Sequence, residues 1–302
     1  MVRLSTRMSR LQIVAVSSIG VALAVMGIKY VAYLITGSVA LLSDALESIV
    51  NLLTAIAALV AIRVGAQPPD RRHPFGHHKA EYFSAVLEGA LIIVAALLIF
   101  HEVYWALREP RALTDPGLGL FVNGLATALN GVWAWVLINR GEAWRSPALV
   151  GDGWHLASDV VTSLGVLAGL ILATITGWSI LDPLIAGLVA LNILRIGYRL
   201  AAQSISSLMD EAASPEIQER IREAIRQNAD GALQAHDIRT RTAGPVTFIE
   251  FHLVVPGGMT VEDAHEICDR LEVAIEGSIE GAEVVIHVEP EHKSKEKGAV
   301  EL

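Results

Sequence analysis

Up to Met209 the chain is a succession of long apolar runs: about Leu11 to Leu34, Val39 to Val64, Tyr82 to Leu107, Gly117 to Ile138, Ala148 to Thr174 and Ile180 to Leu200. Runs of about 20 apolar residues suffice for an α-helix to cross the bilayer's hydrocarbon core. The pattern predicts six transmembrane helices. Between them lie short polar stretches: Gln67 to Lys79, Arg108-Glu109-Pro110-Arg111, Arg140 to Pro147, and the uncharged turn Gly177-Trp178. Pro183 falls in the first turn of the sixth run, where proline is tolerated.

After Met209 the pattern becomes that of a soluble domain. Ser214-Pro215-Glu216 combines an N-cap serine with proline at the first helical position, which predicts a helix to about Asn228. A strand from about Leu233 to Thr242, a turn at Gly244-Pro245 and a clearly alternating strand from Val246 to Val255 follow. Thr260-Val261-Glu262-Asp263 resembles a capping box and opens a helix to about Glu276. A last strand runs from Glu283 to Glu289, and the charged tail from His292 reads as disordered. The αββαβ order predicts a small open sheet backed by two helices, of ferredoxin-like type. The expected fold is an α-helical membrane domain, residues 1–209, plus a C-terminal α/β ferredoxin-like domain, residues 210–302.

Composition agrees with that division. Of 302 residues 53% are hydrophobic, and the mean hydropathy of +0.48 is too high for a soluble protein. The net charge of -9 argues against nucleic acid as a partner. The single cysteine, Cys268, excludes an internal disulfide and a cysteine-rich zinc site, and reads as a small buried apolar residue. No cleavable signal peptide is apparent, because the first apolar run is too long and lacks a small-residue cleavage site. Basic residues cluster at Arg3/Arg7/Arg10, Arg71/Arg72/Lys79, Arg140/Arg145 and Arg195/Arg199, with Arg108 and Arg111 the exception. That bias predicts both termini in the cytoplasm, in a plasma (inner) membrane protein.

Chemistry enters where polar residues interrupt the apolar runs. Glu47 and Asn51 in the second run are four apart, as are His155 and Asp159 in the fifth, so each pair shares one helix face. At a rise of 1.5 Å per residue, Glu47 lies roughly 12 Å from the outer boundary, and His155 and Asp159 roughly 10–16 Å from the inner one. The two pairs meet near mid-membrane if helices two and five are neighbours. Four N/O ligands are what a divalent cation such as zinc prefers. The plainer reading, a hydrogen-bonded helix–helix contact, suits Asn51 or Ser48 but accounts poorly for two ionisable groups and a histidine in hydrocarbon. Asp44 and Asp152 read as entry-path carboxylates or as capping groups at the ends of their spans, and capping is the expected role.

The loop Asp70-Arg71-Arg72-His73-Pro74-Phe75-Gly76-His77-His78-Lys79 offers two readings. Asp70, His73 and His77 converge on one cation if Pro74-Phe75-Gly76 bends the chain; alternatively, the loop is a basic segment facing anionic lipid. In the soluble part, alternation places Glu250 and His252 on one strand face, and His287 and Glu289 on the matching face of the last strand. His236 lies on the first strand and His265 on the second helix. Such a gathering of imidazole and carboxylate suits a metal site, against the plainer reading of a solvated polar sheet face.

Taken together these residues resemble the cation diffusion facilitator family, especially its bacterial ferrous-iron/zinc efflux members. The resemblance covers nearly the whole chain: the six-span order, Phe75-Gly76-His77 to Glu81, His155-xxx-Asp159 and His236-Asp237-Ile238-Arg239-Thr240-Arg241. It implies a transport quartet at Glu47, Asn51, His155 and Asp159, and a loop site at Asp70, His73 and His77. It also implies a cytoplasmic site at His236, His252, His265, His287 and Glu289, and an interlock of Lys79 with Asp210. The family usually carries Asp or His, then Asp, where this chain has Glu47 and Asn51. The quartet therefore has two possible negative charges rather than three, which leaves manganese or iron open beside zinc. The implied function is a homodimeric secondary transporter that exports divalent transition-metal ions in exchange for protons, without a prosthetic group. Zinc or a similar ion would serve as substrate and as structural or regulatory ion, with lipid as the surrounding partner. No Gly-x-x-x-x-Gly-Lys loop for ATP and no His-Glu-x-x-His protease motif is present. The rival classes are a membrane-tethered metal sensor and a metalloenzyme.

Overall fold

The computed structural model describes residues 2–36, 39–108, 117–176, 178, 180–295 and 299–302, and within the second helix it describes side chains only from Ser48 onward. The chain forms two compact units, Met1–Ile205 and Ser206–Leu302.

Among the described residues, the first unit is built from six long helices: α1 (Val2–Thr36), α2 (Val39–Gly65), α3 (Ala80–Arg108), α4 (Gly117–Ala143), α5 (Pro147–Thr176) and α6 (Leu181–Leu208). Four carry described stretches long and apolar enough to cross a membrane: Arg10–Val31, Ser48–Gly65, Ala80–Trp105 and Pro183–Leu208. Burial here runs opposite to that of a water-soluble bundle. Leu23, Val60, Leu98, Phe121, Trp135 and Leu188 point outward, whereas Asn51, Glu88, Asp152 and His155 are buried between helices. Hydrocarbon outside and polar groups inside is the arrangement a bilayer selects.

Small residues let the helices approach. α5 packs on α2, α3 and α4, and α1 packs on α2 and α4. Where α3 crosses α6, a Cβ on Gly89 would come within 2.9 Å of the Gly197 carbonyl oxygen, and one on Gly197 within 2.9 Å of the Gly89 oxygen. A Cβ on Gly153 of α5 would stand 3.0 Å from the Ile138 backbone nitrogen of α4. An apolar cluster of Leu11, Ala58, Ile62, Leu137, Leu149 and Leu156 ties α1, α2, α4 and α5 together.

Two expectations change in this unit. The segment Arg140 to Pro147 is not simply a closing loop, since α4 continues to Ala143 and Pro147 begins α5. Ser146 donates its hydroxyl to the buried Glu81 carboxylate, so Ser146-Pro147 repeats the Ser-Pro helix start of residues 214–215. Asp152 does not cap a span end either. It lies inside α5, nearly fully buried, and accepts a 2.6 Å hydrogen bond from Ser18 of α1. Asp44 lies outside the residues whose side chains are described.

The second unit runs α7 (Pro215–Asn228), β1 (Gln234–Ala243), β2 (Val246–Val255), α8 (Val261–Ser278), β3 (Ala282–Pro290), a short 3-10 turn (Glu291–Lys293) and β4 (Val300–Glu301). The sheet order is β3-β2-β1-β4, with β1 antiparallel to β2 and β4, and β3 parallel to β2. Ser214 accepts from the Ile217 N–H at 3.4 Å and Thr260 from the Asp263 N–H at 3.1 Å; such caps typically contribute about 1 kcal/mol each. Ile221 and Ile225 of α7 and Ile267, Leu271 and Ile275 of α8 share a core with Ile249, Phe251 and Leu253 of β2. Both helices therefore cover one sheet face, and Cys268 is buried among them.

The tail is not disordered where it is described. Val300 joins the core and pairs with Ala235. Gln234 exchanges two hydrogen bonds with the Lys295 backbone, at 2.8 and 2.9 Å. The charge count of the tail suggested a solvated segment, but a buried valine, pairing to the β1 edge and the bonds at Lys295 dock it.

Candidate functional site

Helix periodicity places the membrane ligands. α2 and α5 are neighbours, which answers the condition left open by depth alone. Across their contact, the Asn51 amide donates to the Asp159 carboxylate at 2.8 Å, and its oxygen lies 3.1 Å from His155 Nε2. Three of the four expected transport residues thus stand together, with Asn51 and His155 buried. Glu47 is one turn earlier on α2, and its side chain lies outside those described. Backbone contacts frame the group: Ser158 donates to the His155 carbonyl at 2.8 Å and Thr54 to the Asn51 carbonyl at 3.0 Å.

A residue absent from the sequence reading borders this group. Glu88 of α3 is fully buried, and one oxygen lies 4.0 Å from His155 Nδ1. Its visible signal was a glutamate inside the apolar run Tyr82 to Leu107, a signal the search for i, i+4 pairs passed over.

In the loop, Gly76 adopts φ +82°, a conformation glycine accepts at little cost, and its N–H donates to the His73 carbonyl at 3.0 Å. The chain bends there as convergence requires. His73 Nδ1 and His77 Nε2 stand 3.4 and 3.6 Å from the two Asp70 oxygens, and one ligand atom from each residue falls within 4.8 Å of the others. Asp70 also accepts the backbone N–H groups of Arg72 and His73 at 2.7 and 2.6 Å. The His73 and Arg72 N–H bonds hold the carboxyl below the usual carboxylate range and keep it anionic, as a ligand must be.

Cross-strand register builds the third group. His236 pairs with His252, and His252 with His287, in one row over β1, β2 and β3. The rings are 5.3 and 4.9 Å apart. Glu289 collects all three: its oxygens lie 3.2 Å from His236 Nε2, 3.3 Å from His252 Nδ1 and 3.8 Å from His287 Nε2. Alternation had placed His252, His287 and Glu289 on this face, opposite Ile249, Phe251 and Leu253, and the structure has them there. His265 is not brought to the row. It is exposed on α8, with its imidazole 3.6 Å from Asp269.

Asp237 joins the row instead. The β1–β2 register shifts between His236 and Arg239, and Asp237 takes φ +53°. This bulge lets two consecutive residues face one side, which strict alternation forbids. One atom each of His236, Asp237 and His252 lies within 4.8 Å of the others. Asp237 also accepts from Lys295 Nζ at 2.6 Å, a bond that holds its carboxyl below the ordinary range. The donor set fits a borderline cation such as zinc. Both ring nitrogens of buried His236, and His252 Nδ1, make no hydrogen bond among the described residues although carboxylate oxygens stand close. Imidazoles gathered without mutual hydrogen bonds suit coordination better than a hydrogen-bonded network.

Comparison with known proteins gives a consistent picture. Residues 15–209 match the cation efflux transmembrane domain, and residues 213–291 match the cytoplasmic domain of cation efflux proteins. An uncharacterized transporter of Synechocystis is 49% identical over 91% of this chain and 89% of its own length. The cation-efflux pump FieF of Shewanella oneidensis is 33% identical over 91% of this chain and 92% of its own. A zinc-form structure of the candidate zinc transporter CzrB is 50% identical, covering 28% of this chain and 98% of its own, with a TM-score of 0.26.

Proposed function

This chain belongs to the cation efflux family of multi-pass membrane transporters, and from that premise we propose that it exports a divalent transition-metal ion, zinc first, from the cytoplasm in exchange for protons. The observation that carries this reading is the Asn51–His155–Asp159 group, three ligand-type side chains held 2.8 and 3.1 Å from one another between two membrane helices. A cation bound there replaces hydrogen bonds that the side chains otherwise make to each other. Glu47 completes the quartet. Coupling to protons follows from ligand chemistry: imidazole and carboxylate bind metal only when deprotonated, so metal and protons compete for one site. Iron and manganese remain alternatives to zinc, because an amide oxygen is a harder, uncharged ligand.

The loop residues Asp70, His73 and His77 would receive ions at the membrane surface. His236, His252, His287 and Glu289, with Asp237 beside them, would hold a resident ion that cross-links three strands and stabilises a homodimer through residues 210–302. Both termini would lie in the cytoplasm and residues 1–209 in the inner membrane. A sensor would need the sheet row but no mid-membrane group, and a metalloenzyme would need an activated water in an open cleft. The test is flux into proteoliposomes loaded with a fluorescent chelator, with and without an imposed pH gradient, over zinc, iron(II) and manganese. Zinc uptake that accelerates when the lumen is acidic supports the reading. Uptake indifferent to the gradient removes proton exchange, and no uptake of any of the three removes transport.

A further inference from the structure

The transport group has a second boundary on its α3 side. Glu88 is fully buried within the span Ala80–Trp105. Its stem lies against Gly151, where an added Cβ would come within 2.9 Å of Glu88 Cγ. Neither carboxylate oxygen accepts a hydrogen bond from a described residue, and His155 Nδ1 likewise makes none. The two stand 4.0 Å apart, while His155 Nε2 faces Asn51 on the other side of the ring. A carboxylate of this kind has no packing reason to be there: burying it without a hydrogen-bond partner is unfavourable, and a glutamine or leucine would fill the same space.

Resting on the transport reading above, we propose that Glu88 is a positioning residue for the transported cation. With the cation bound, it favours the His155 tautomer that carries its proton on Nδ1, which leaves the Nε2 lone pair free for the metal, and it supplies the negative charge that Asn51 does not. Nε2 stands 3.1 Å from the Asn51 oxygen. Cation binding requires Nε2 to carry no proton, and a Glu88 carboxylate on the opposite side of the ring makes the Nδ1–H form the favoured one. Carboxylates that accept from the far nitrogen of a metal-bound imidazole typically change metal affinity 10- to 100-fold. Asp152 flanks the same face but has one oxygen engaged by Ser18 at 2.6 Å, so Glu88 is the freer carboxylate.

The test uses the full chain in proteoliposomes with zinc and manganese as probes. Glu88→Gln keeps the shape and a carbonyl acceptor but loses the charge, and it should raise the zinc KM about tenfold while Vmax stays within about threefold. Glu88→Ala loses the acceptor too and should raise KM further. Glu88→Asp, which keeps the charge on a shorter stem, should fall between wild type and Glu88→Gln. Asn51→Asp placed in the Glu88→Gln background should bring the KM back toward wild type, a rescue that a packing role does not give. A wild-type KM in Glu88→Gln overturns the proposal. So does a loss of Vmax at constant KM in every variant without rescue. Failure of the transport reading looks different: flux that survives Asp159→Ala removes the site itself, whatever the Glu88 variants do.

Discussion

The group between the membrane helices and the row across the sheet use similar side chains in opposite ways. Between α2 and α5, Asn51 offers both a donor and an acceptor, so one amide faces both the Asp159 carboxylate and the Nε2 side of His155 when no ion is bound, while His155 Nδ1 is left to the Glu88 side. Across β1, β2 and β3, neither ring nitrogen of buried His236, nor His252 Nδ1, makes a hydrogen bond among the described residues, although Glu289 oxygens stand 3.2 and 3.3 Å away. Leaving a buried polar group unpaired costs about 1–3 kcal/mol. The first arrangement lets a cation come and go at small cost to the fold, as cargo must. The second favours an ion that stays. The same residue types thus serve different lifetimes, and the deciding feature is whether an uncharged bridge stands among the ligands.

Breaking the membrane group should have the largest effect. Asp159→Ala removes its one described carboxylate and should abolish metal flux while leaving expression and dimer size on gel filtration unchanged. Wild-type flux would separate transport from this group altogether. Breaking the sheet row comes next. With zinc at a hundredfold excess over Kd, binding to the folded form alone should stabilise it by about 2.7 kcal/mol. In a His252→Ala/His287→Ala double variant that gain should vanish, seen as equal melting temperatures with and without zinc, while flux through the membrane unit persists. An undiminished zinc shift would place the resident ion elsewhere.

Sharpening the comparison needs a change in the bridge itself. Asn51→Asp turns the uncharged amide into a third anionic ligand and should shift relative flux toward zinc over manganese, with slower turnover because release becomes harder. Unchanged metal preference would remove Asn51 from the ligand set. The smallest effect concerns the edge of the sheet row. Lys295 holds the Asp237 carboxyl below its ordinary value. A lowered folded-state pKa contributes stability above about pH 3.9, lost as pH falls through the depressed value. Lys295→Ala should therefore lower the urea midpoint of the second unit slightly at pH 5, with the difference closing toward pH 3. A constant gap across that window would mean that Lys295 acts through packing rather than charge.

Several features were legible before any coordinates because a repeat carries them. The Ser214 and Thr260 caps, the alternation of β2, and the i, i+4 pair His155 and Asp159 on α5 all rest on fixed helical or strand periods, and the residues stand where those periods put them. Other features escaped because they break a period or depend on one partner far along the chain. Asp237 joins the sheet row only through a one-residue bulge, which strict alternation conceals. Asp152 looked like a cap because it falls near the start of the fifth apolar run, whereas its partner is Ser18, on another helix. The tail looked solvated because its composition is charged, yet Val300 is buried in the core and pairs with Ala235, and Lys295 bonds to Gln234 and Asp237.

By itself the sequence determined the long helices and the first three strands, the apolar face of the second strand, and which side chains are available as ligands, because local periodicity and apolar burial act within a few residues. Only the tertiary structure decided which of those ligands meet. Packing of α2 on α5 selected Asn51, His155 and Asp159, the glycine at 151 admitted Glu88 to the far side of His155, and strand register lined up His236, His252 and His287 over Glu289 while leaving His265 exposed on its helix. The physical reason is range: a period fixes a direction in space, but a hydrogen bond or a coordination bond needs two groups within about 3 Å, and that distance is set by how whole elements pack.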